Sequence, residues 1–279
     1  KVLDEDVIAS FSDGHKTCFQ VFRFEGGRLF DRESFIFDSG DSEGETEEFI
    51  LRYYTIRGDV PKNIAIDKEF DGLTAMQDWL SEKRGSKVYI TVPQRGEQAQ
   101  LMAMCRSNAA EELAQRKGAT VKEYSVLEEL KELLGLEKIP SYIESYDISN
   151  LAGTENVAGM IVYKDGKPYK CAYKKFKIKG FDGQDDYASM AEVIGRRFNE
   201  YLKAEKADDG FGKLPDLILL DGGKGQVAVA KQVLREMNID VPLFGLVKDD
   251  KHRTRAVTGD GGEISVNSRR ALFTFLSKM

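Results

Sequence analysis

The sequence predicts an α/β protein with two tandem domains of the same plan, each a mixed sheet flanked by helices. Two observations lead to this expectation. Strand-like and helix-like segments alternate along the chain, and their order in the second half also occurs in the first half. A repeated order of segments predicts a repeated structural unit. The 279 residues are enough for two such domains.

The second half opens with three predicted strands, at 142–148, 156–163 and 167–178. An Asp-Gly pair at 165–166 joins the last two strands. Such a pair between β-rich runs is a strong signal of a hairpin. We therefore expect these strands to lie side by side in the sheet.

A helix is predicted next, beginning at Asp186. The apolar run 217–220 then predicts a buried strand that ends at Asp221. A Gly-rich turn, a helix over 225–237 and an apolar strand at 243–247 complete the unit. The apolar face of the first helix has the 3.6-residue helical period and consists of Met190, Val193, Ile194, Phe198 and Leu202.

The first half repeats this order, with strands predicted at 7–11, 17–24, 28–37, 63–67 and 87–92 and helices at 45–54 and 73–83. Aligning Gly27 with Gly166 places Ile8 where the second half has Asp147. The first copy is therefore expected to lack that carboxylate and to be degenerate. Asp67 corresponds to Asp221, and we interpret it as a structural residue. The expected boundaries are a first domain at 1–118, a helical linker with a leucine stripe at 119–140, and a second domain at 141–279.

Composition limits the classes of function. The net charge of -6 argues against attraction of nucleic acid to the whole surface. No apolar run approaches the ~20 residues that a membrane-spanning helix needs. The chain starts at Lys1 without an apolar leader, so we expect a piece of a longer cytoplasmic protein. The 3 cysteines are widely spaced, and neither a disulfide framework nor a zinc site is predicted.

Basic residues are nevertheless clustered in this acidic chain. Lysines alternate with apolar residues in the predicted strand 167–178, Arg196 and Arg197 form a second group, and a third follows 243–247. A solvated surface is the alternative interpretation of each group. The candidates for contacts to a DNA backbone are Lys174, Lys175, Lys177, Lys179, Lys224, Lys251, His252, Arg253 and Arg255.

Three carboxylates occupy the positions from which chemistry is expected. Asp147 lies in the first strand, Asp186 starts the first helix, and Asp221 ends the fourth strand. This order of elements is that of the ribonuclease H-like fold, in which these positions meet at one end of the sheet. Clustered carboxylates repel each other, and Mg²⁺ or Mn²⁺, which prefer oxygen ligands, relieve the repulsion. Such ions support hydrolysis of a phosphodiester.

Each acid also has a structural alternative. Asp147 precedes turn-forming residues, and Asp186 is of a type that caps helices. The Gly-rich loop at 221–226 lies between a strand and a helix, where backbone amides bind phosphate. It lacks the spacing of a Walker nucleotide loop, so an ATPase is not predicted.

Four motifs resemble the UvrC family and occur in the same order. They are Tyr-Asp-Ile-Ser-Asn-Leu at 146–151, Asp-Asp-Tyr-Ala-Ser-Met at 185–190, Leu-Ile-Leu-Leu-Asp-Gly-Gly-Lys-Gly-Gln at 217–226 and Lys-Asp-Asp-Lys-His-Arg-Thr-Arg at 248–255. Residues 1–120, including Val-Pro-Gln-Arg-Gly-Glu at 92–97, are similar to the central region of that family. The resemblance therefore covers essentially the whole chain.

The resemblance implies a nuclease of bacterial nucleotide excision repair, which UvrB recruits to damaged double-stranded DNA and which cuts 5′ to the lesion. By motif it implies Asp147, Asp186 and Asp221 as catalytic acids and as ligands of Mg²⁺ or Mn²⁺. The family's further catalytic His, its GIY-YIG nuclease domain, its UvrB-binding segment and its helix-hairpin-helix domain are expected outside this sequence. His252 is not equated with that His. This piece is expected to bind DNA poorly and to cut weakly or not at all.

Two other functions remain open from the sequence. A non-catalytic scaffold for DNA or protein docking is favoured if the three acids are far apart or paired with neighbouring Lys and Arg. A resolvase or integrase-type nuclease on the same fold requires recognition of branched DNA without UvrB, which no motif supports.

Overall fold

A computed structural model of the chain describes residues 4–39, 44–151, 155–179, 185–249, 253–266 and 268–279, apart from the side chains at 149–151 and 155–156. The chain divides into two compact units, Lys1–Val121 and Lys122–Met279. Within the described ranges, no helix combines the length and apolarity that a membrane crossing requires. Both units are mixed α/β structures, which confirms the predicted fold class.

The first unit contains one five-stranded sheet. Its strands are β1 (Glu5–Ser12), β2 (Lys16–Glu25), β3 (Arg28–Asp38), β4 (Asn63–Ile66) and β5 (Tyr89–Thr91), and its helices are α1 (Glu45–Ile56), α2 (Leu73–Arg84) and α3 (Gly96–Arg116). The strand order is β3-β2-β1-β4-β5. The first three strands pair antiparallel, and β1, β4 and β5 are parallel.

The second unit contains an eight-stranded sheet. Its helices are α4 (Val121–Leu134), α5 (Asp186–Lys203), α6 (Lys224–Glu236) and α7 (Arg270–Leu276). Its strands are β6 (Tyr142–Leu151), β7 (Glu155–Lys164), β8 (Lys167–Pro168), β9 (Lys174–Lys177), β10 (Leu217–Asp221), β11 (Leu243–Lys248), β12 (Thr254–Gly259) and β13 (Gly262–Ser265). The strand order is β13-β12-β11-β10-β6-β7-β8, and β9 also pairs with β7.

The predicted repeat is present in the sheet topology. The order β3-β2-β1-β4-β5 of the first unit corresponds to β9-β7-β6-β10-β11 of the second. In both units the first strand is antiparallel to the second and parallel to the fourth. The second unit continues with β12, β13 and α7, and the first with α3, none of which the periodicity of the sequence predicted.

Three details differ from the predicted elements. The strand expected at 167–178 is interrupted by a 3-10 turn at Lys170–Ala172, which divides it into the two short strands β8 and β9. Leu202 was expected on the apolar face of α5, yet it is 55% exposed because it lies in the last turn, beyond the core. The leucine stripe expected in a linker belongs to α4, where Leu127, Leu130 and Leu134 are buried.

The sheet register corrects the alignment of the two copies by one residue. Ile8 lies beside Ile66, so the next pair along the two parallel strands is Ala9 and Asp67. In the second copy Tyr146 lies beside Leu220, and the next pair is Asp147 and Asp221. Ala9, not Ile8, therefore corresponds to Asp147. Alignment by the turn glycines was wrong because the connection between the first two strands is one residue shorter in the first copy.

Helix α3 covers the face of the first sheet on which Ala9 lies. Val7, Ala9 and Ala65 are buried in one cluster with Met102 and Cys105 of α3. Asp67 accepts hydrogen bonds from the backbone N–H of Ser10 at 2.9 Å and from its hydroxyl at 3.3 Å. These contacts support the structural interpretation of Asp67.

A buried ion pair joins the second sheet to α5. Arg197 Nη2 lies 2.7 Å from Glu144 Oε1, and both side chains are almost fully buried. Tyr146 donates to Glu144 Oε2 at 2.5 Å, and Arg197 donates to the carbonyl groups of Phe211 and Lys213. The sequence grouped Arg197 with exposed basic residues. That expectation was wrong, because Arg197 is the internal partner of Glu144.

We expect Arg197→Met to lower the free energy of unfolding by about 3–5 kcal/mol, because it leaves the Glu144 carboxylate buried without its charge partner. Urea denaturation followed by far-UV circular dichroism measures this loss. The matched control is Arg196→Met, since Arg196 pairs with Glu192 at the surface and its loss costs no more than about 1 kcal/mol. Equal losses for the two variants would contradict the assignment.

A second prediction concerns Asp6, which is buried in β1 and accepts a hydrogen bond from the Tyr54 hydroxyl at 2.7 Å. Burial raises the pKa of Asp6 to about 6. The fold favours its protonated form, so the stability this form provides is present below the unfolded pKa of about 4 and is lost as the pH rises through 6. Asp6→Asn should therefore stabilise the first unit at pH 8, by up to about 3 kcal/mol, and leave its stability unchanged at pH 4.

The 1 tryptophan of the chain, Trp79, packs against the core of the first unit, so its fluorescence during urea unfolding reports on that unit. A stability gain at pH 4 equal to that at pH 8 would show that the effect does not come from the charge of Asp6.

Candidate functional site

Two of the three predicted acids lie side by side on neighbouring parallel strands. Asp221 is the last residue of β10, and the register of β10 against β6 places it beside Asp147. The preceding residues, Leu220 and Tyr146, belong to the core that α5 and α6 cover. Since side chains alternate along a strand, both aspartates point to the opposite side of the sheet. We call that side, defined by Asp147 and Asp221, the acid face.

The two carboxylates affect each other. Partial burial of its carboxylate raises the pKa of Asp147, the nearby Asp221 raises it further, and Lys248 acts in the opposite direction. Lys248 Nζ lies 2.5 Å from Asp221 Oδ2. One ammonium group therefore serves two neighbouring carboxylates, and the pair retains excess negative charge.

Lys248 was missed as a site residue by the sequence analysis, which placed it only in a basic motif. It is the last residue of β11, the strand that runs parallel to β10 on the side away from β6. Lys248 can be identified from its place at the end of β11, because the carboxyl ends of adjacent parallel strands meet at one edge of a sheet.

Asp186 is exposed and is the first residue of α5. The helix is capped by Asp185, whose Oδ1 accepts from the N–H groups of Tyr187 and Ala188, both at 3.0 Å. The capping role considered for Asp186 thus belongs to its neighbour. In the described ranges, no three His, Cys, Asp or Glu side chains are placed to share a metal ion. Asp186 therefore does not join the pair of Asp147 and Asp221 in a group of three.

The first turn of α5 nevertheless lies at the same end of the sheet as the acid pair. The ring of Tyr187 packs against Gly225, where a Cβ atom would approach Tyr187 Cε1 to 2.4 Å. Gly225 lies in the first turn of α6, four residues after Asp221. This contact brings the start of the helix that carries Asp186 close to the loop that follows Asp221.

The loop after Asp221 packs closely against β11. A Cβ atom at Gly245 would lie 2.4 Å from the carbonyl oxygen of Gly222, so only glycine fits there. Helix α6 follows with Gly223 as its N-cap and has no side-chain cap, and its first residue, Lys224, is exposed. Unpaired backbone N–H groups at a helix start attract anions.

The lysines of β9 divide between the two faces. Phe176 is in the core, so Lys175 and Lys177 lie on the acid face. Lys174 lies on the other side, with its ammonium 5.7 Å from the centre of the Phe211 ring. Lys179 is exposed beyond the end of β9, and its backbone N–H donates to Glu192.

The remaining basic candidates are exposed or lie outside the described residues. Arg253 donates from Nε and Nη2 to Asp249 Oδ2 at 3.1 and 3.0 Å, and Arg255 pairs with Glu263 at 3.1 Å. Both charges are therefore partly neutralised within the protein. Lys251 and His252 fall outside the described residues.

Two family profiles match the chain. The profile described as the UvrC RNAse H endonuclease domain matches residues 131–279, and the UvrC Ribonuclease H-like domain matches residues 4–116. The chain belongs to the UvrC family. The resemblance seen in the four motifs is thereby confirmed, as are two ribonuclease H-like domains.

Curated UvrC relatives align with nearly all of this chain. UvrABC system protein C of Clostridium acetobutylicum is 39% identical over 99% of this chain and 47% of its own length. The protein of the same name from Finegoldia magna is 41% identical over 99% of this chain and 46% of its own length. The chain spans about half the length of the curated relatives it matches.

Likeness to solved structures is weak. Endonuclease V of Ciona intestinalis, in complex with inosine-containing DNA, aligns over 46% of this chain and 59% of its own, with 14% identity and a TM-score of 0.30. The C-terminal lobe of a budding yeast Argonaute aligns over 80% of this chain and 48% of its own, with 15% identity and a TM-score of 0.29. Scores this low carry no inference about the UvrC chain.

Asp147→Asn is expected to stabilise the fold at neutral pH. The raised pKa of Asp147 means that its ionised form opposes folding. The gain should be below about 1 kcal/mol, because solvent screens this exposed side chain. It should vanish as the pH falls below about 4, where aspartate is protonated in the unfolded chain as well.

Urea midpoints at pH 7 and pH 3 measure this difference. The matched control is Asp186→Asn, which should lose slight stability at pH 7 because a carboxylate at a helix start is favourable. Destabilisation by Asp147→Asn at pH 7 would contradict the repulsion between Asp147 and Asp221.

Proposed function

We propose that the second unit is the metal-dependent endonuclease domain of a UvrABC system protein C and that it makes the incision 5′ to a lesion. The observation that supports this proposal is the placement of Asp147 in β6 beside Asp221 at the end of β10. The neighbouring Asp221 raises the pKa of Asp147, so the ionised form of Asp147 is unfavourable for folding unless a cation binds there. Such an arrangement is characteristic of a site selected for chemistry.

Mg²⁺ or Mn²⁺ fits this donor set. The carboxylate oxygens of the site are ligands that both ions prefer. The ammonium group of Lys248 already places a positive charge beside Asp221. We propose Asp147 and Asp221 as ligands, and Asp186, which starts α5 at the same end of the sheet, as a third ligand that joins them only when the ion binds. A bound divalent ion would supply positive charge that stabilises the oxygens of the phosphodiester during hydrolysis.

The chain's own basic groups would hold the DNA backbone. Lys175 and Lys177 lie on the acid face, and Lys224 starts α6 immediately after the loop that follows Asp221. Contacts to phosphates provide affinity and fix the position of the strand, but they do not read base sequence. Recognition of damage in double-stranded DNA is therefore assigned to UvrB and the rest of the UvrABC system, in the cytoplasm.

The first unit is proposed to be a non-catalytic scaffold. Ala9 stands at the position of Asp147, and helix α3 covers the face on which a substrate would bind. Neither a metal pair nor a DNA strand has room there. Its contribution to incision would be to position the second unit or a partner.

One observation favours the rival function, in which the second unit is also a docking scaffold. Asp221 forms an ion pair with Lys248, and such pairing is expected of acids that have only a structural role. Against the rival, Asp147 is exposed and its pKa is raised, so the ion pair does not satisfy both acids. The two functions differ in the effect of removing Asp147.

The decisive test is incision of a lesion-containing duplex by a full-length UvrABC system protein C that carries this chain, with UvrB and Mg²⁺ or Mn²⁺. Asp147→Ala and Asp221→Ala should each lower the rate of the 5′ cut by roughly 100-fold or more, because several kcal/mol of transition-state stabilisation are lost. The 3′ cut should persist. Denaturing gel electrophoresis separates the two products.

The matched control is Asp67→Ala, which removes the corresponding acid of the first unit and should leave both cuts unchanged. If Asp147→Ala and Asp221→Ala cut 5′ to the lesion at the rate of the unaltered protein, the scaffold function is correct.

A further inference from the structure

A row of residues crosses the second sheet from the acid pair to the lysines of β9. In the ladders, Asp147 lies opposite Gly159 of β7, and Gly159 lies opposite Lys175 of β9. Residues directly opposite one another in a sheet point to the same side. Asp221, Asp147, Gly159 and Lys175 therefore form one row on the acid face, perpendicular to the strands.

Glycine at position 159 is not required by the protein's own packing. A Cβ atom there would meet no other atom within 4 Å, and Gly159 does not have a positive φ. Glycine in the interior of a strand weakens the strand, and it often marks a place where a ligand or another backbone approaches closely. The open space above Gly159 lies between the carboxylate of Asp147 and the ammonium of Lys175.

The charge along the row is negative on one side of Gly159 and positive on the other. Asp147 and Asp221 are the anionic end, and Lys175 is exposed at the cationic end. Within the described part of the chain, Lys175 forms no ion pair. The row spans two strand spacings, roughly 10 Å between the Cα atoms of Asp147 and Lys175, and the flexible lysine side chain reaches back over part of that distance.

The first unit provides an internal comparison. The corresponding row there is Ala9, Gln20 and Ser34. Asp67 lies beside Ala9 at the position of Asp221, but these three residues carry no charge, the Ser34 hydroxyl donates to Gln20 Oε1 at 2.6 Å, and α3 covers Ala9. The first copy lacks an acid at the position of Asp147, and it also lacks a glycine at the position of Gly159 and a lysine at the position of Lys175. The open position and the lysine that follows it in the row thus occur only in the second copy, which has the acid pair.

We propose that Gly159 is the floor of a path for one DNA strand, which crosses the sheet from the acid pair to Lys175. The sugar-phosphate backbone passes over the exposed main chain at Gly159, and Lys175 binds the phosphate next to the scissile phosphate, whose binding near Asp147 and Asp221 would require the proposed divalent ion. The ligand is a single nucleic-acid strand recognised through its phosphates. This inference rests on the proposed function of the second unit and adds the direction in which the strand lies.

The test is single-turnover 5′ incision by a full-length protein that carries this chain. Gly159→Val is expected to fold normally, because the Cβ meets no neighbour and β-branched residues favour strands, yet to block the path and lower the incision rate at least tenfold. Lys175→Ala should lower the rate roughly tenfold, the loss expected for one charge-assisted hydrogen bond. Melting temperatures establish that each variant is folded.

Two controls are matched to these variants. Lys203→Ala removes an exposed lysine in the last turn of α5, at the opposite end of that helix from Asp186, and Gly58→Val fills another open position with ordinary φ in the first unit. Both should cut at the unaltered rate. In the Gly159→Val background, Lys175→Ala should have little further effect, because the strand no longer reaches the lysine.

Asp147→Asn separates failure of this inference from failure of the proposed function. If Asp147→Asn abolishes the 5′ cut while Gly159→Val and Lys175→Ala cut normally, the path is wrong and the nuclease assignment stands. If Asp147→Asn cuts normally, the nuclease assignment fails and the path fails with it. An equal loss in Lys203→Ala and Lys175→Ala would also overturn the path, since it would reflect the general charge of the protein.

Discussion

The parallel pairing of β6 with β10 is the constraint on which the candidate site depends. A slip of one residue in this pairing would turn every side chain of one strand to the other face. The start of the pairing is held by Asp216, whose Oδ2 accepts from the backbone N–H of Tyr142 at 2.8 Å and from the Ser141 hydroxyl at 3.1 Å. Farther along β6, Glu144 is held by Arg197 of α5. These polar contacts fix the register that brings Asp147 and Asp221 together.

The same strand register buries one face of the sheet in the first copy and leaves the corresponding face accessible in the second. In the first unit, α3 buries the face that includes Ala9, which adds apolar contact area and therefore stability. In the second unit, the region around Asp147 and Gly159 remains accessible, and the ionised form of Asp147 opposes folding. Proteins commonly accept lower stability at sites that bind or react. The contrast supports an active second copy and a structural first copy.

Much of the fold was predictable from the sequence, because the hairpin turn and the apolar periods are local signals. The adjacency of Asp147 and Asp221 was also predictable, since both lie on strands that the fold makes neighbours. The Ile8 alignment failed because register depends on the length of a connection and not on the turn glycines. The burial of Arg197 was missed because its partner, Glu144, lies 53 positions away in the sequence. Lys248 could not be chosen from its motif alone, since its role follows from strand order.

The close contact between Gly245 and the carbonyl group of Gly222 has a consequence for binding. Because β11 holds the loop after Asp221 in place, the entropy cost of ordering that loop is met during folding and does not recur when a ligand arrives. The backbone amides at the start of α6 then face the sheet edge in a fixed orientation. The glycines of this loop, which in free peptides give the greatest flexibility, here provide rigidity.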